Sequence, residues 1–172
     1  MHSFDLAMLL IRLGVGITFA AHGAQKAFGW WGGTGLKAWQ GAMTRMGFRP
    51  VALFAALSIL AELVGGLMLA AGLLTPAAVA ALVGLSVVII LKVHWVHGFF
   101  SGKSGFEFPL LLAVCAVAVG VAGPGQVSFD NLIKLEPAAA VRAALLVLGA
   151  LGGLASLAVP WLLARRNPAR PS

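Results

Sequence analysis

The chain has 172 residues, of which 60% are hydrophobic and only 10% charged, against roughly 25% charged in an ordinary soluble domain. That excludes a soluble globular protein. Twelve Lys and Arg against five carboxylates give a net charge of +7, but at a mean hydropathy of +0.99 these bases flank apolar runs and do not cover a wet surface, which argues against nucleic-acid binding.

A spanning helix needs about 20 mostly apolar residues, and five stretches qualify, at about 6 to 27, 51 to 73, 76 to 95, 107 to 123 and 139 to 163. The first opens on Asp5 with no basic cluster and offers only Ala20-Ala21-His22-Gly23 as a cleavage site, so it is expected to be an uncleaved helix and not a signal peptide. After it, Trp30 and Trp31 mark the edge of the hydrocarbon, and residues 35 to 46 put Leu36, Trp39, Met43 and Met46 on one face and Lys37, Gln40, Thr44 and Arg45 on the other, the pattern of a short amphipathic interfacial helix. The second and third stretches are parted by little more than Leu74-Thr75-Pro76 and must form an antiparallel hairpin, with Thr75 as cap and Pro76 in the first turn. The connection from 96 to 106 alternates Gly98, Gly102 and Gly105 with Phe99, Phe100 and Phe106, and is expected to fold back on the protein. Gly123-Pro124-Gly125 and Ser128-Phe129-Asp130 read as a turn and a short surface helix. The single cysteine, Cys115, lies inside an apolar run, which excludes intramolecular disulfides, CxxC pairs and thiolate zinc clusters, so any redox role needs a borrowed cofactor.

Counting bases in the connections predicts the orientation. Lys26, Lys37, Arg45, Arg49, Lys92, Lys103 and the tail residues Arg165, Arg166 and Arg170 fall on one side; Arg12, Lys134 and Arg142, offset by Asp5, Asp130 and Glu136, fall on the other. The N-terminus is then outside and the C-terminus cytoplasmic. A four-span version, in which 139 to 163 does not insert, would move only the tail.

Chemistry has to come from polar residues in or beside the spans. On the first helix Asp5, Arg12, His22 and Lys26 fall within an arc of roughly 100°, a polar face that must look inward, with Arg12 paired to Asp5. Glu62 sits about halfway along the second helix with Ser58 and Gly65 on its face and Gly66 beside them. A charge there costs about 2.5 to 3.5 kcal/mol, so Glu62 must be neutral, in a wet cavity or paired with His22, Arg12 or Lys26. Topology brings His22, Lys26, His94, His97 and Glu107 to one membrane face with Glu62 below them, lining a polar funnel. His94 and His97 have a metal-compatible spacing, but no thiolate supports them and no metal site is expected.

The string His22-Gly23-Ala24-Gln25-Lys26-Ala27-Phe28-Gly29-Trp30-Trp31-Gly32-Gly33, with Ala61-Glu62-Leu63-Val64-Gly65-Gly66 and His94-Trp95-Val96-His97-Gly98-Phe99-Phe100 running on to Gly105-Phe106-Glu107, resembles the DoxX family of bacterial membrane proteins over about residues 5 to 135. The resemblance implies a four-helix inner-membrane protein; some relatives are linked to thiosulfate-quinone oxidoreduction and others to oxidative-stress complexes. His97 stands where relatives often have Asn, and the apolar stretch 139 to 163 is additional. The expected fold is therefore an all-α membrane protein, a four-helix DoxX-like domain over 1 to 135 followed by a fifth transmembrane helix and basic tail over 136 to 172. Gly149 and Gly153, spaced GxxxG-fashion with Ser156 beyond, suggest helix packing or a homo-oligomer.

Three functions fit. In the first, the chain is a membrane subunit of a quinone-linked redox system: His22, Lys26, Glu62 and His94 bind a quinone head or relay protons, the motif positions Gly23, Gly29, Trp30, Gly65, His97, Gly98, Phe99 and Glu107 line the site, and electrons come from a partner oxidoreductase subunit. In the second it binds or carries a small amphiphile or anion. The third is an assembly scaffold whose polar residues only hold helices together. Membrane lipids are partners under all three.

Overall fold

The structure is a computed structural model and describes residues 2–166. Every regular element in it is helical: α1 (Ser3–Phe28), α2 (Gly35–Arg45), α3 (Val51–Ala71), α4 (Thr75–Val88), α5 (Glu107–Ala122), α6 (Phe129–Leu132) and α7 (Ala139–Arg166), with short 3-10 turns between α1 and α2 and between α4 and α5. Four helices are long and apolar enough to cross a membrane: Ser3–Phe28, Val51–Ala71, Thr75–His97 and Ala139–Val159. The chain is an all-α membrane protein. At 16 residues, α5 rises only about 24 Å, less than a 30 Å hydrocarbon core. At its start Phe106 and Glu107 donate back to the Gly98 and Phe99 carbonyls (3.0 and 2.8 Å), so the preceding connection folds back on itself.

Apolar side chains on the outer faces, such as Leu10, Ile17, Leu60, Leu67, Val114 and Leu151, are exposed, as lipid contact requires. Without a hydrophobic driving force between helices in lipid, packing depends on close backbone approach, and α1 meets α3 across small residues. A Cβ on Gly16 would lie 2.5 Å from the Gly66 carbonyl oxygen, and one on Gly23 would lie 2.5 Å from the Leu63 nitrogen. This register has a consequence for the site. With Gly23 opposite Leu63, α1 ends about level with Ser58, about 10 Å of helix short of the α3 start. The chain turns at Gly29 (φ 74°, left-handed, its N–H bonded to the Gln25 carbonyl), and α2 folds back into the space left beside the first turns of α3. There Met43, Phe48 and Ala55 form a small core, with Trp39, Met46, Phe54, Val88 and Leu157 packed around it. The expected apolar face of α2 thus packs on protein, apart from Leu36, which stays exposed.

At the opposite end the loop after α5 is bolted to the α3–α4 hairpin. Asp130 accepts from the Leu74 and Thr75 N–H groups (2.6 and 2.8 Å), so α4 is capped by a residue from far along the chain and not by the Thr75 hydroxyl, which has no partner. The expected Asp5–Arg12 pair does not form either. Asp5 accepts from Gln126 N (2.9 Å) and His2 N (3.3 Å), while Arg12 donates to the Val127 carbonyl. The physical reason is that this loop brings backbone groups to the edge of the apolar bundle, where each needs a partner.

α7 packs along α4 and touches α5. The tail residue Arg170 lies outside the described residues.

Candidate functional site

The α3 helix carries Glu62 on its buried face, 2% exposed, and the last turn of α1 carries Lys26 to the same level. The two form an ion pair, the only one within 4 Å among the described residues. Lys26 also stands over the Trp39 ring, 4.3 Å from its centroid, and the Trp39 indole N–H donates to the Ser58 hydroxyl (2.8 Å), which donates in turn to the Ala55 carbonyl (2.9 Å). Ser58 lies one turn before Glu62, so one face of α3 presents both. Glu62 Oε2 is buried with no hydrogen-bond partner.

Beside this group lies a cavity of about 480 Å³, within the usual range for small-molecule sites. Lys26, Trp39 and Ser58 are at its polar end. Apart from Ser156 of α7 the rest of its wall is apolar: Met43, Met46 and Phe48 from the α2 region, Phe54, Leu57 and Ala61 from α3, Ala81, Leu85 and Val88 from α4, and Leu145, Leu148 and Gly152 from α7. Ile89 and Val93 also line it, from a π-helical turn at Ile89–His94 that continues α4; such turns are frequent at functional sites.

Of the residues singled out from the sequence, the structure brings Lys26 and Glu62 into direct contact. His22 is exposed, its ring 6.2 Å from that of Phe108 on α5. Gly23 holds α1 against α3; Gly65 faces Leu82 of α4 at 3.6 Å from where its Cβ would be. Gly29 ends α1, and Trp30 is exposed between Phe28 and Trp31. A second group forms over residues 94 to 107. His94 Nδ1 donates to the Ser104 carbonyl (2.6 Å), Glu107 accepts from the Ser101 N–H and hydroxyl (2.9 Å each), and Gly98 and Phe99 supply carbonyls to the turn. Trp95, Phe99, Phe100 and Phe106 cluster around it, and His97 is exposed. Of the polar residues expected to line one funnel only Lys26 lines the cavity; Glu62 reaches it through its bond to Lys26, and His22, His94, His97, Gly98, Phe99 and Glu107 are not on its wall. In this connection His94 and Glu107 are bonded to its own backbone. Among the described residues no three of His, Cys, Asp and Glu stand together.

Trp39 and α7 are the parts of this site that sequence reasoning missed. Trp39 was visible as the large residue on the inner face of α2. The strip Gly149, Gly152, Gly153 and Ser156 was the available signal for α7. Gly149 and Gly153 pack against Ala80 and Gly84 of α4, where added Cβ atoms would overlap backbone. The GxxxG spacing therefore serves contact within the chain.

A protein-family model described as DoxX matches residues 7–95, just over half of the chain. The match takes in α1 to α4 with the Lys26–Glu62 pair and leaves α5 to α7 outside. No curated protein and no solved structure matches the chain.

Proposed function

Because the chain belongs to the DoxX family, we propose that it is a membrane subunit of a quinone-linked redox system in the bacterial inner membrane, binding the quinone in the cavity beside Lys26. The observation that carries this reading is the group Lys26, Trp39 and Ser58 on the wall of a largely apolar cavity, with the buried Glu62 paired to Lys26 behind that wall. A quinone has the matching form, an apolar molecule whose head accepts hydrogen bonds. Lys26 donates to a head carbonyl, and Glu62, with one unpartnered carboxylate oxygen, takes part in proton transfer. Reduction of a quinone to a quinol consumes two electrons and two protons. A partner oxidoreductase subunit supplies the electrons, and protons reach the pair by way of His22.

Under this proposal His94, His97, Gly98, Phe99 and Glu107 form the adjoining surface for that partner, and Gly23, Gly29, Trp30 and Gly65 hold the helices in register. Residues 136 to 172 are an addition to the family's four-helix domain. The base count puts the α2 end in the cytoplasm and the N-terminus outside.

The side of the cavity between α3 and α7 favours a second reading, a binding or carrier protein for another small amphiphile, because its walls there are apolar and face the bilayer. Gentle extraction, native mass spectrometry and analysis of the co-purifying lipids test the two. A bound quinone supports the first reading and another amphiphile the second. A protein partner with no small molecule contradicts both and leaves the scaffold function.

A further inference from the structure

The wall that α7 gives the cavity is built unlike a simple packing face. Gly149 and Gly153 are consumed by close approach to α4, but a Cβ on Gly152 would meet nothing within 4 Å. Glycine inside a helix costs about 1 kcal/mol relative to alanine, and helix packing gives no reason for it at this position. Ser156 Oγ is turned onto its own helix, donating to the Gly153 carbonyl (2.7 Å), so it adds no free polar group to the wall. α7 packs on α4 and α5 and forms no comparable interface with α3. Between α3 and α7, therefore, lies the apolar part of the cavity, with Leu57 and Ala61 on one side and Leu148 and Gly152 on the other.

We infer that the gap between α3 and α7 is a lateral entrance from the bilayer, and that Gly152 sets the width of hydrocarbon tail it admits. The ligand class is a single-tailed amphiphile, its hydrogen-bond-accepting head at Lys26 and its tail lying across Gly152. This rests on the reading of the cavity as a binding site. It goes further in making tail selection a property of α7, which lies beyond the residues matched by the family model. The bilayer is the source, since the entrance has apolar walls on both sides and the only polar groups lie at the far, Lys26 end.

The test uses full-length protein in nanodiscs and three probes: decylubiquinone, the tail-less quinone with the same head, and dodecanoate. Gly152→Phe projects into open space, so it should keep the wild-type melting temperature, leave the tail-less quinone unaffected and weaken decylubiquinone about tenfold or more. Gly152→Leu is read beside it and should give the same pattern. Equal decylubiquinone affinity in wild type and both variants overturns the inference while leaving the binding reading intact. Early melting of both variants also overturns it, since the space would then be a packing contact. If wild type binds dodecanoate and no quinone, the entrance is tested with dodecanoate and only the quinone identity falls. If wild type binds none of the three probes, the binding reading itself fails and the inference falls with it.

Discussion

The two ends of the bundle both bury charged side chains, and they use them in opposite ways. At the α6 end, Asp5 and Asp130 give their oxygens to backbone N–H groups, and Arg12, 1% exposed, reaches a backbone carbonyl with one nitrogen while its Nε and Nη1 have no partner, so unpartnered atoms occur at both ends. These charges pin a loop to a hairpin. At the α2 end, Lys26 and Glu62 meet side chain to side chain, one carboxylate oxygen is unpartnered, and the cavity adjoins them. A buried ionisable group in a membrane protein is a functional candidate by default; under the proposed function, what it bonds to separates the structural cases from the chemical one.

The largest effect on stability should come from the pinning end. Asp130→Ala removes both acceptors of the Leu74 and Thr75 N–H groups, and at about 1.5 to 3 kcal/mol for each bond to a charged group it should destabilise by about 3 kcal/mol or more, read as a lowered melting temperature in detergent. Ligand retention by the fraction that stays folded should be unchanged. A loss of binding without a loss of stability would break the division between the two ends.

A smaller effect is expected from Gly23→Leu, which forces α1 away from Leu63. Overpacking of this kind costs about 1 to 3 kcal/mol, and because Lys26 lies less than one turn further along, it should also separate Lys26 from Glu62 and lower ligand affinity. Gly65→Ala has room beside Leu82 (3.6 Å) and should leave both nearly as they are. Smaller again is Trp39→Phe, which keeps a ring under Lys26 and loses the bond to Ser58, about 1 kcal/mol. It should reduce head-group binding more than it reduces the melting temperature; equal melting and equal binding would remove Trp39 from the site.

The sequence made the helices legible because a 3.6-residue repeat in lipid leaves long apolar runs, and hydropathy reads these directly. Glu62 was legible for the same reason, as a lone acid in such a run, and Lys26 was among its expected partners. What could not be read was which polar residue meets which backbone group. Asp5 and Arg12 share a helix face and have opposite charges, yet a loop more than a hundred residues away takes both, and nothing local encodes that. The cavity was hidden likewise. Its walls come from five helices, and it depends on α1 stopping short of the α3 start, a register set by Gly16, Gly23 and Gly66 that sequence spacing alone does not give.

The central claim, that the Lys26–Glu62 pair serves binding and proton transfer and not merely packing, is tested most directly at Glu62. Glu62→Gln keeps shape and a hydrogen-bonding oxygen for Lys26, so its detergent melting temperature should stay close to wild type, while Glu62→Leu, which leaves the part-buried Lys26 ammonium without its partner, should melt earlier than Glu62→Gln. Measured together, melting temperature and retention of the co-purified amphiphile should separate in Glu62→Gln: stability kept, ligand lost or strongly reduced. A Glu62→Gln protein that melts early yet retains its full complement of ligand would make Glu62 a helix-packing residue and contradict the account.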